Sequence, residues 1–392
     1  MKIFIFLTLS YFIQNVAAQP VVKSMLRLPD TGVNKSYTDT FGEDADFTIN
    51  QPYFINNGNG TVTDSVTGLI WQQTDGGEMT IENAIIYCNN LILAGYSDWR
   101  LPSAQEAFSI LNHQYTNPAM DENVFTTTLA QYWWTSESQV NDSNKIWATN
   151  SGGGIGNHPK TETLSAGGPK RFHVRAVRDK TTPPVIPNHF TDNENGTITD
   201  NLTKLIWQKV PNADTLSWEQ ALSYADTLSL AGMSDWRLPN IKELQSINDE
   251  NLINPSLNPN FFDVGNSKKY WSSTTLPNQT TKAWYLNTQY GITTYDTKTV
   301  KHSVICVNGN QISTGLNGYL SENYTVFPNP FTSRINLKYK TGNEKFELIN
   351  CLGVIIYSGK NIEQQDFTSL PNGFYLLKVI DKSASLKKKK KN

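Results

Sequence analysis

The sequence predicts an α+β protein made of two copies of one domain, followed by a small all-β domain. Three observations predict this architecture: a long internal repeat, a recurring order of hairpin, capped helices and strands in each copy, and a change of composition after about residue 316. In that last segment, turn residues separate short apolar runs, which is typical of a β-sandwich.

Composition excludes several classes of function. The chain has 392 residues and a formal charge of -2, from 33 Lys and Arg against 35 Asp and Glu. It therefore has no overall basic field to attract nucleic acid. With 3 Cys and 5 His, it has little material for zinc clusters or a disulfide framework. We expect neither nucleic-acid binding nor a resident cofactor.

The N-terminus has the pattern of a secretory signal peptide over residues 1–18. Lys2 precedes an apolar run from Ile3 to Ile13, and Val16-Ala17-Ala18 supplies small residues at the cleavage spacing. The run is too short to span a membrane, and no later stretch is long enough. We expect a secreted protein without a membrane span, with residues 19–49 as a leader before the first domain.

The internal repeat defines the domains as residues 50–180 and 188–310, joined by a Pro-rich linker at 181–187. The order of matching segments is the same in both copies. Phe54–Asp64 matches Phe190–Asp200, Leu69–Gln72 matches Leu205–Gln208, Ala94–Pro102 matches Ala231–Pro239, and Tyr132–Ser136 matches Lys269–Ser273.

Each copy begins with a predicted hairpin at Asn59-Gly60 or Asn195-Gly196. Two helices follow. Thr80 and Ser217 are the predicted N-caps of the first helix in each copy. Ser103 and Asn240 are the predicted N-caps of the second helix, and both are followed by a Glu three residues later.

Strands rich in aromatic and β-branched residues complete each copy. The first copy also carries a Gly-rich loop over Ser151–Lys170, which we expect to be mobile and exposed.

The repeated motifs Gly-Thr-Val-Thr-Asp, Gly-Leu-Ile-Trp-Gln, Asp-Trp-Arg-Leu-Pro and Trp-Thr/Ser-Ser resemble the Lcl C-terminal domain family over about Arg27 to Asn308. Leu28–Phe47 looks like the leader that often precedes the first such domain. The resemblance implies C-type-lectin-like folds and an extracellular adhesin module that binds polysaccharide.

Residues 316–392 resemble the type A C-terminal sorting domain of the type IX secretion system. The resemblance rests on the proline-rich Phe327–Phe331, on Leu370–Tyr375 and on the basic run Lys387–Lys391. It implies that the secretion machinery is a partner, and that the protein is released or held at the outer cell surface.

Two carboxylates recur in each copy and admit two interpretations. Asp98 and Glu106, with Asp235 and Glu243, could be the acid and base of a glycan hydrolase. Alternatively, the glutamates cap helices and the aspartates pair with Arg100 and Arg237. We favour the structural interpretation and expect no catalytic residues.

Asp192–Gly196 is rich in oxygen ligands but lacks the spacing of an EF-hand loop. A plain turn is the favoured interpretation, and calcium stays possible but not indicated.

Cys88 and Cys306 are predicted to be unpaired. By the resemblance, each domain would carry one Cys in its first helix and one in its last strand. In the first copy the helix has Cys88 but the strand position is Ala176, and in the second copy the strand has Cys306 but the helix position is Ala225. Cys351 belongs to the C-terminal domain.

A sugar needs stacking surface and orienting hydrogen bonds, which aromatic side chains beside polar residues near loop ends would provide. The alternative is that the tryptophans among them belong to the core. The candidate ligand-binding residues are Trp147, Asn150, His158, Lys160, Lys170, Arg171, Trp284, Asn287, Tyr290, Tyr295 and Lys298.

The function predicted from these features is non-enzymatic binding of a polysaccharide or glycoconjugate, at the cell surface or after secretion. Two linked weak sites would gain by multivalency. One alternative is an enzyme, either a glycan-active hydrolase or a relative of the formylglycine-generating enzymes, and the other is a structural surface component.

Overall fold

The computed structural model describes residues 20–47, 49–126, 128–161, 172–266, 268–309, 325–328, 330–338, 344–350, 354–373 and 375–380. The predicted signal peptide, the second half of the Gly-rich loop, Cys351 and the basic end lie outside these residues. Within the described ranges, no helix has the length and apolar character needed to cross a bilayer.

The leader contains one short strand and one 3-10 turn. Strand β1 is Val21–Val22, and the turn is Asp44–Asp46.

In its described residues, the first repeat contains two helices and two sheets. One sheet has the order β2-β3-β4-β9, and the other has the order β7-β6-β5-β8, with β8 parallel to β5. The elements are β2 (Phe54–Asn56), β3 (Thr61–Asp64), β4 (Leu69–Gln72), α1 (Ile81–Asn90), α2 (Ala104–Ser109), β5 (Tyr132–Gln139), β6 (Asp142–Asn150), β7 (Ile155–Pro159), β8 (Phe172–His173) and β9 (Val177–Asp179).

The linker forms strand β10 (Val185–Ile186), which pairs antiparallel with β1. The second repeat then has sheets β11-β12-β13-β17 and β14-β15-β16. Its elements are β11 (Phe190–Asp192), β12 (Thr197–Asp200), β13 (Ile206–Gln208), α3 (Trp218–Thr227), α4 (Ile241–Ser246), β14 (Lys269–Thr275), β15 (Lys282–Asn287), β16 (Ile292–Thr297) and β17 (Val307–Asn308).

Identical side-chain contacts confirm that the repeats are structurally equivalent. The side chain of Gln72 accepts a hydrogen bond from the backbone N–H of Ala176, and Gln208 accepts one from Cys306. The predicted caps are present as well. Thr80 accepts from the N–H of Asn83, and capping boxes begin α2, α3 and α4. The local sequence signals therefore predict the helix starts correctly.

The two repeats pack against each other through equivalent elements. Helices α2 and α4 are in contact, as are β7 and β16. A buried apolar cluster joins them, with Phe108, Trp147 and Ile155 from the first repeat and Ile241 and Trp284 from the second. Burial of these large side chains is the main favourable contribution to the junction.

Polar side chains at equivalent positions of α2 and α4 reach across this junction. Gln105 donates to the carbonyl of Gln245 at 2.8 Å. Lys242 is fully buried, and its Nζ donates to the carbonyls of Ser109 at 2.7 Å and Asp30 at 2.8 Å. Each repeat thus satisfies backbone carbonyl groups of the other, which would be costly to bury unpaired.

The leader contacts both repeats. The N–H of His113 donates to the carbonyl of Thr31, while Thr274 donates to Asp44 and Thr275 donates to Glu43. Burial raises the pKa of Glu43 to about 7 and raises that of Asp44. The leader is therefore an integral part of the two-repeat unit.

The C-terminal segment is all-β in its described residues. The orders are β18-β19 and β21-β20-β22, around a core that includes Ile335, Phe346 and Phe367. The elements are β18 (Thr325–Phe327), β19 (Asn336–Lys338), β20 (Lys345–Asn350), β21 (Ile355–Gly359), a 3-10 turn at Ile362–Gln364 and β22 (Tyr375–Ile380).

The expected exposure of the Gly-rich loop is wrong for its first half. Gly153 and Gly154 are buried at the junction, and Ile155–Pro159 forms β7. Gly153 has φ +101°, and a Cβ there would lie 3.3 Å from Ala119 and 3.4 Å from Trp284. Glycine is favoured here because the backbone conformation disfavours side chains, and a Cβ would also lie tighter than usual against Ala119.

Candidate functional site

An open groove of about 370 Å³ lies where β7 of the first repeat meets β16 of the second. The two strands are joined by a hydrogen bond of 3.0 Å from the N–H of Ile155 to Oγ1 of Thr293. Tyr132 and His158 line the groove from the first repeat, and Tyr290 lines it from the second. The groove therefore exists because both repeats are present.

A stack of aromatic rings supports the wall formed by the first repeat. The ring centroids of Trp134 and Phe172 lie 4.1 Å apart, and those of Phe172 and Tyr132 lie 4.6 Å apart. The His158 ring meets Tyr132 edge-on at 4.6 Å. Trp134 and Phe172 are fully buried, so they hold the half-buried Tyr132 and His158 in place.

Polar groups surround these rings. Lys145 and Asn157 line the groove, and Lys145 Nζ lies 3.7 Å from the Asp142 carboxylate. Among the described residues, the buried Oδ1 of Asn157 has no hydrogen-bond partner. A partly enclosed surface with aromatic faces and polar side chains beside them suits a hydroxylated ligand.

The turn after β6 fixes one end of the groove. Oδ1 of Asn150 accepts hydrogen bonds from the N–H groups of Gly152 at 2.9 Å and Gly154 at 3.2 Å. This side chain therefore holds the turn through its oxygen, as asparagine often does in turns.

The structure brings three of the predicted ligand-binding residues together in the groove. Asn150, His158 and Tyr290 all line it. Lys160 follows β7 directly, where its N–H donates to the carbonyl of Asn144. Lys170 and Arg171 lie outside the described residues.

The expected placement of Trp147 and Trp284 at accessible loop ends is wrong. Trp147 is 1% exposed and Trp284 is 3% exposed, and both belong to the apolar cluster between the repeats. They pack in the core because the faces of β6 and β15 that carry them meet the other repeat. Their role is to join the repeats.

The other candidates of the second repeat do not line the groove. Asn287 accepts the N–H of Gln289 in the turn after β15, and the ring of Tyr295 packs edge-on against Trp284 at 5.5 Å. Lys298 Nζ lies 3.7 Å from the centroid of the Trp218 ring.

The recurring carboxylates have structural contacts, with one change from expectation. Glu106 caps α2 and binds Arg100 through both oxygens at 2.7 and 2.8 Å, and Glu243 does the same with Arg237 at 2.6 Å. The expected pairing of Asp98 with Arg100 is wrong, because Asp98 binds Arg178 at 2.7 and 3.0 Å.

Asp192 accepts the N–H of Glu194 in a plain turn and pairs with Lys209. Across the part of the chain that the structure describes, no group of three or more His, Cys, Asp and Glu could hold a metal ion.

The cysteine prediction is confirmed for the two residues described. Cys88 and Cys306 are both free and buried. Burial raises the pKa of the Cys88 thiol to about 12 and raises that of Cys306 as well. Both thiols are consequently poor nucleophiles.

Sequence reasoning missed Tyr132, Lys145 and Asn157. Tyr132 directly precedes the Trp133-Trp134 pair, and strand alternation places it on the face opposite Trp133. That alternation could have indicated it. No pattern in the sequence indicates that β7 and β16 meet.

Comparison with known families agrees with this repeated architecture. The Lcl C-terminal domain model matches residues 60–178 and 196–308, which together are more than half of the chain. The chain belongs to the Lcl C-terminal domain family. The secretion system C-terminal sorting domain matches residues 325–390. No curated protein matches the chain.

The sorting domain directs this Lcl-domain protein through the type IX secretion system to the cell surface or the extracellular space.

Proposed function

We propose that this protein is a non-enzymatic surface or secreted module that binds a polysaccharide or glycoconjugate in the groove between its two repeats. The observation that carries the proposal is the joint lining of the groove by the aromatic side chains Tyr132, His158 and Tyr290, with Lys145 and Asn157 beside them. Sugars stack on aromatic rings and need oriented polar groups around their edges.

The shape of the groove favours a chain over a single small molecule. The groove is partly open to solvent, and an open groove admits an internal segment of a polymer, whereas a closed pocket admits an end or a small ligand. Export to the outside of the cell would place the groove where such polymers occur.

We further propose that each repeat has a C-type-lectin-like fold. The support is the arrangement of two short helices beside two small sheets in each copy, together with the family resemblance in the sequence. The groove does not depend on this assignment.

Absence of catalysis is part of the proposal. The recurring carboxylates Glu106 and Glu243 have both oxygens bound by arginine, which removes the most obvious acid and base. The retaining and inverting mechanisms of glycosidases both require a separated pair of carboxyl groups with access to the sugar.

A glycan array tests the proposal, with the protein lacking residues 316–392 applied with and without a chelator. We expect saturable binding to a restricted set of glycans, unchanged by the chelator, with the glycans recovered intact. Release of shorter products would instead identify an enzyme, and a complete lack of binding would favour a structural surface component.

A further inference from the structure

A second cavity, of about 140 Å³, lies within the first repeat and is lined by residues other than those of the groove. The buried side chains Phe125, Trp133 and Arg175 line it, together with Asn117, Ser151 and the exposed Glu122. A cavity of about 150 Å³ can hold benzene, so this space admits one six-membered ring, and the substituents of a sugar ring would extend through its open side.

Arg175 is the unusual member of this lining, because it is 2% exposed. Its Nη1 donates to the carbonyls of Gln72 at 2.9 Å and Gln73 at 2.5 Å, while its Nε has no hydrogen-bond partner among the described residues. A buried guanidinium with an unused donor is costly in a folded protein. An acceptor from outside the chain would relieve that cost.

The neighbouring carboxylate of Asp75 does not use this donor. Asp75 accepts hydrogen bonds from His173 at 2.8 Å, Thr128 at 2.6 Å and Trp133 at 3.0 Å. Its nearest approach to Arg175 is 3.8 Å, to Nη2, which is too long for a hydrogen bond. Asp75 therefore partly balances the charge of Arg175 without satisfying its hydrogen bonds.

The second repeat shows that the fold does not need this cluster. Gln72 bonds to Ala176 as Gln208 bonds to Cys306, so Ile305 occupies the position of the second repeat that is equivalent to Arg175. The backbone N–H of Gly76 bonds to Val174 as that of Asn212 bonds to Val304, so Pro211 occupies the position equivalent to Asp75. Buried ion pairs can often be replaced by apolar residues without loss of stability, so a polar cluster present in one repeat and not in the other points to a role other than folding.

We propose that this cavity is a binding site for a six-membered sugar ring that carries a carboxylate, such as a terminal uronic acid residue. The carboxylate would accept hydrogen bonds from Arg175, since guanidinium and carboxylate groups match in geometry. The ring would pack between Phe125 and Trp133, and its hydroxyl groups would reach Asn117, Ser151 and Glu122 at the rim. This site is separate from the groove and does not depend on the function proposed for it.

The test uses the full protein and four monosaccharides: glucuronic acid, galacturonic acid, glucose and galactose. Because Trp133 lines the cavity, tryptophan fluorescence reports occupancy, and calorimetry supplies the dissociation constant. We expect at least one uronic acid to bind at least tenfold more tightly than its neutral counterpart. Equal binding of acidic and neutral sugars would overturn the proposal. A dissociation constant above about 10 mM for both uronic acids, which corresponds to a binding free energy weaker than about -2.7 kcal/mol, would also overturn it.

Two variants assign the binding to this cavity. Arg175→Lys keeps the charge but loses the guanidinium geometry, so we expect at least a tenfold loss of uronic acid affinity with an unchanged far-ultraviolet circular dichroism spectrum. Tyr290→Ala alters the groove and should leave uronic acid binding intact. Uronic acid binding that survives in Arg175→Lys, or that is lost in Tyr290→Ala, would contradict the assignment.

A further variant covers the case in which Arg175→Lys does not fold. Ser151→Ala removes a hydroxyl group at the rim that would bond to the sugar, so we expect it to weaken affinity for the uronic acid about threefold or more. Unchanged affinity in this variant would contradict the predicted position of the sugar ring.

Discussion

Replacing Lys242 by methionine tests whether the two repeats and the leader form one interlocked unit. The substitution keeps most of the side-chain length but removes the ammonium group that donates to the carbonyls of Asp30 and Ser109. A buried acceptor left without its donor costs about 1–3 kcal/mol, so the two carbonyls predict a loss of about 2–6 kcal/mol. This is a large part of the stability of a typical domain.

Electrostatics acts in both directions at neutral pH. Burial raises the pKa of Asp30 to about 6 and lowers that of Lys242 to about 8, so both groups are mostly ionised at pH 7 and attract each other. Lys242→Met loses this attraction but also removes the cost of burying the ammonium group. The predicted loss therefore counts only the two hydrogen bonds.

Urea unfolding followed by tryptophan fluorescence measures this loss. All 10 tryptophans lie between residues 71 and 284, so the signal reports on the repeats and not on the C-terminal domain. Lys180 is exposed, and Lys180→Met should change the free energy of unfolding by less than about 0.5 kcal/mol. If Lys242→Met changed it by less than about 1 kcal/mol, the interlocked junction would be refuted.

Three further predictions concern buried charges and thiols. Burial raises the pKa of Glu43, Glu137 and Glu250 from 4.5 to about 7, so the folded state binds their protons more tightly than the unfolded state does. Their contribution to stability is complete below about pH 4.5 and is lost towards pH 7, which predicts a higher melting temperature at pH 5 than at pH 8; the reverse order would disprove it. Arg237→Met should cost about 3–5 kcal/mol, because it leaves Glu243 buried and unpaired. The matched Arg100→Met should cost less in the same urea titration, since the Arg100 side chain is 37% exposed against 3% for Arg237, and equal losses would contradict this. Iodoacetamide at pH 8 should leave Cys88 and Cys306 unmodified in the folded protein and modify both after unfolding without reductant, as mass spectrometry of tryptic peptides would show; rapid modification of the folded protein would be inconsistent with their burial.

Local features of the fold could be predicted from the sequence. The hairpins at Asn59-Gly60 and Asn195-Gly196 form as expected, and so do the N-caps Thr80, Ser103 and Asn240. These features depend on residues within a few positions of one another, and each feature occurs in both copies of the repeat. Agreement between the copies makes such local predictions more secure.

The junction could not be predicted, because it depends on which surfaces of the two repeats meet. Trp147 and Trp284 have the strand spacing and polar neighbours expected of ligand contacts, yet they pack between the repeats. Glycine at position 153 suggests a mobile loop in the sequence, whereas in the structure it is buried at the junction with a positive φ. The sequence therefore predicts only part of the groove lining, namely the ligand-binding candidates Asn150, His158 and Tyr290.

The leader illustrates the same limit in another way. Its acidic residues Glu43 and Asp44 give no indication in the sequence of contacts with Thr274 and Thr275, more than 200 positions away. Hydrogen bonds of this range depend on tertiary packing, which short sequence patterns do not encode.

Titration of the groove with an oligosaccharide selected from the glycan array is the most direct measurement of the proposed function. Calorimetry would compare the unaltered protein with Tyr290→Ala, which removes a ring from the groove, and with Tyr295→Ala, which removes a 40% exposed ring outside it. We predict that Tyr290→Ala weakens binding about tenfold, or about 1.4 kcal/mol, while Tyr295→Ala has no effect. Unchanged affinity in Tyr290→Ala, or cleavage of the oligosaccharide during the titration, would contradict a binding groove between the repeats.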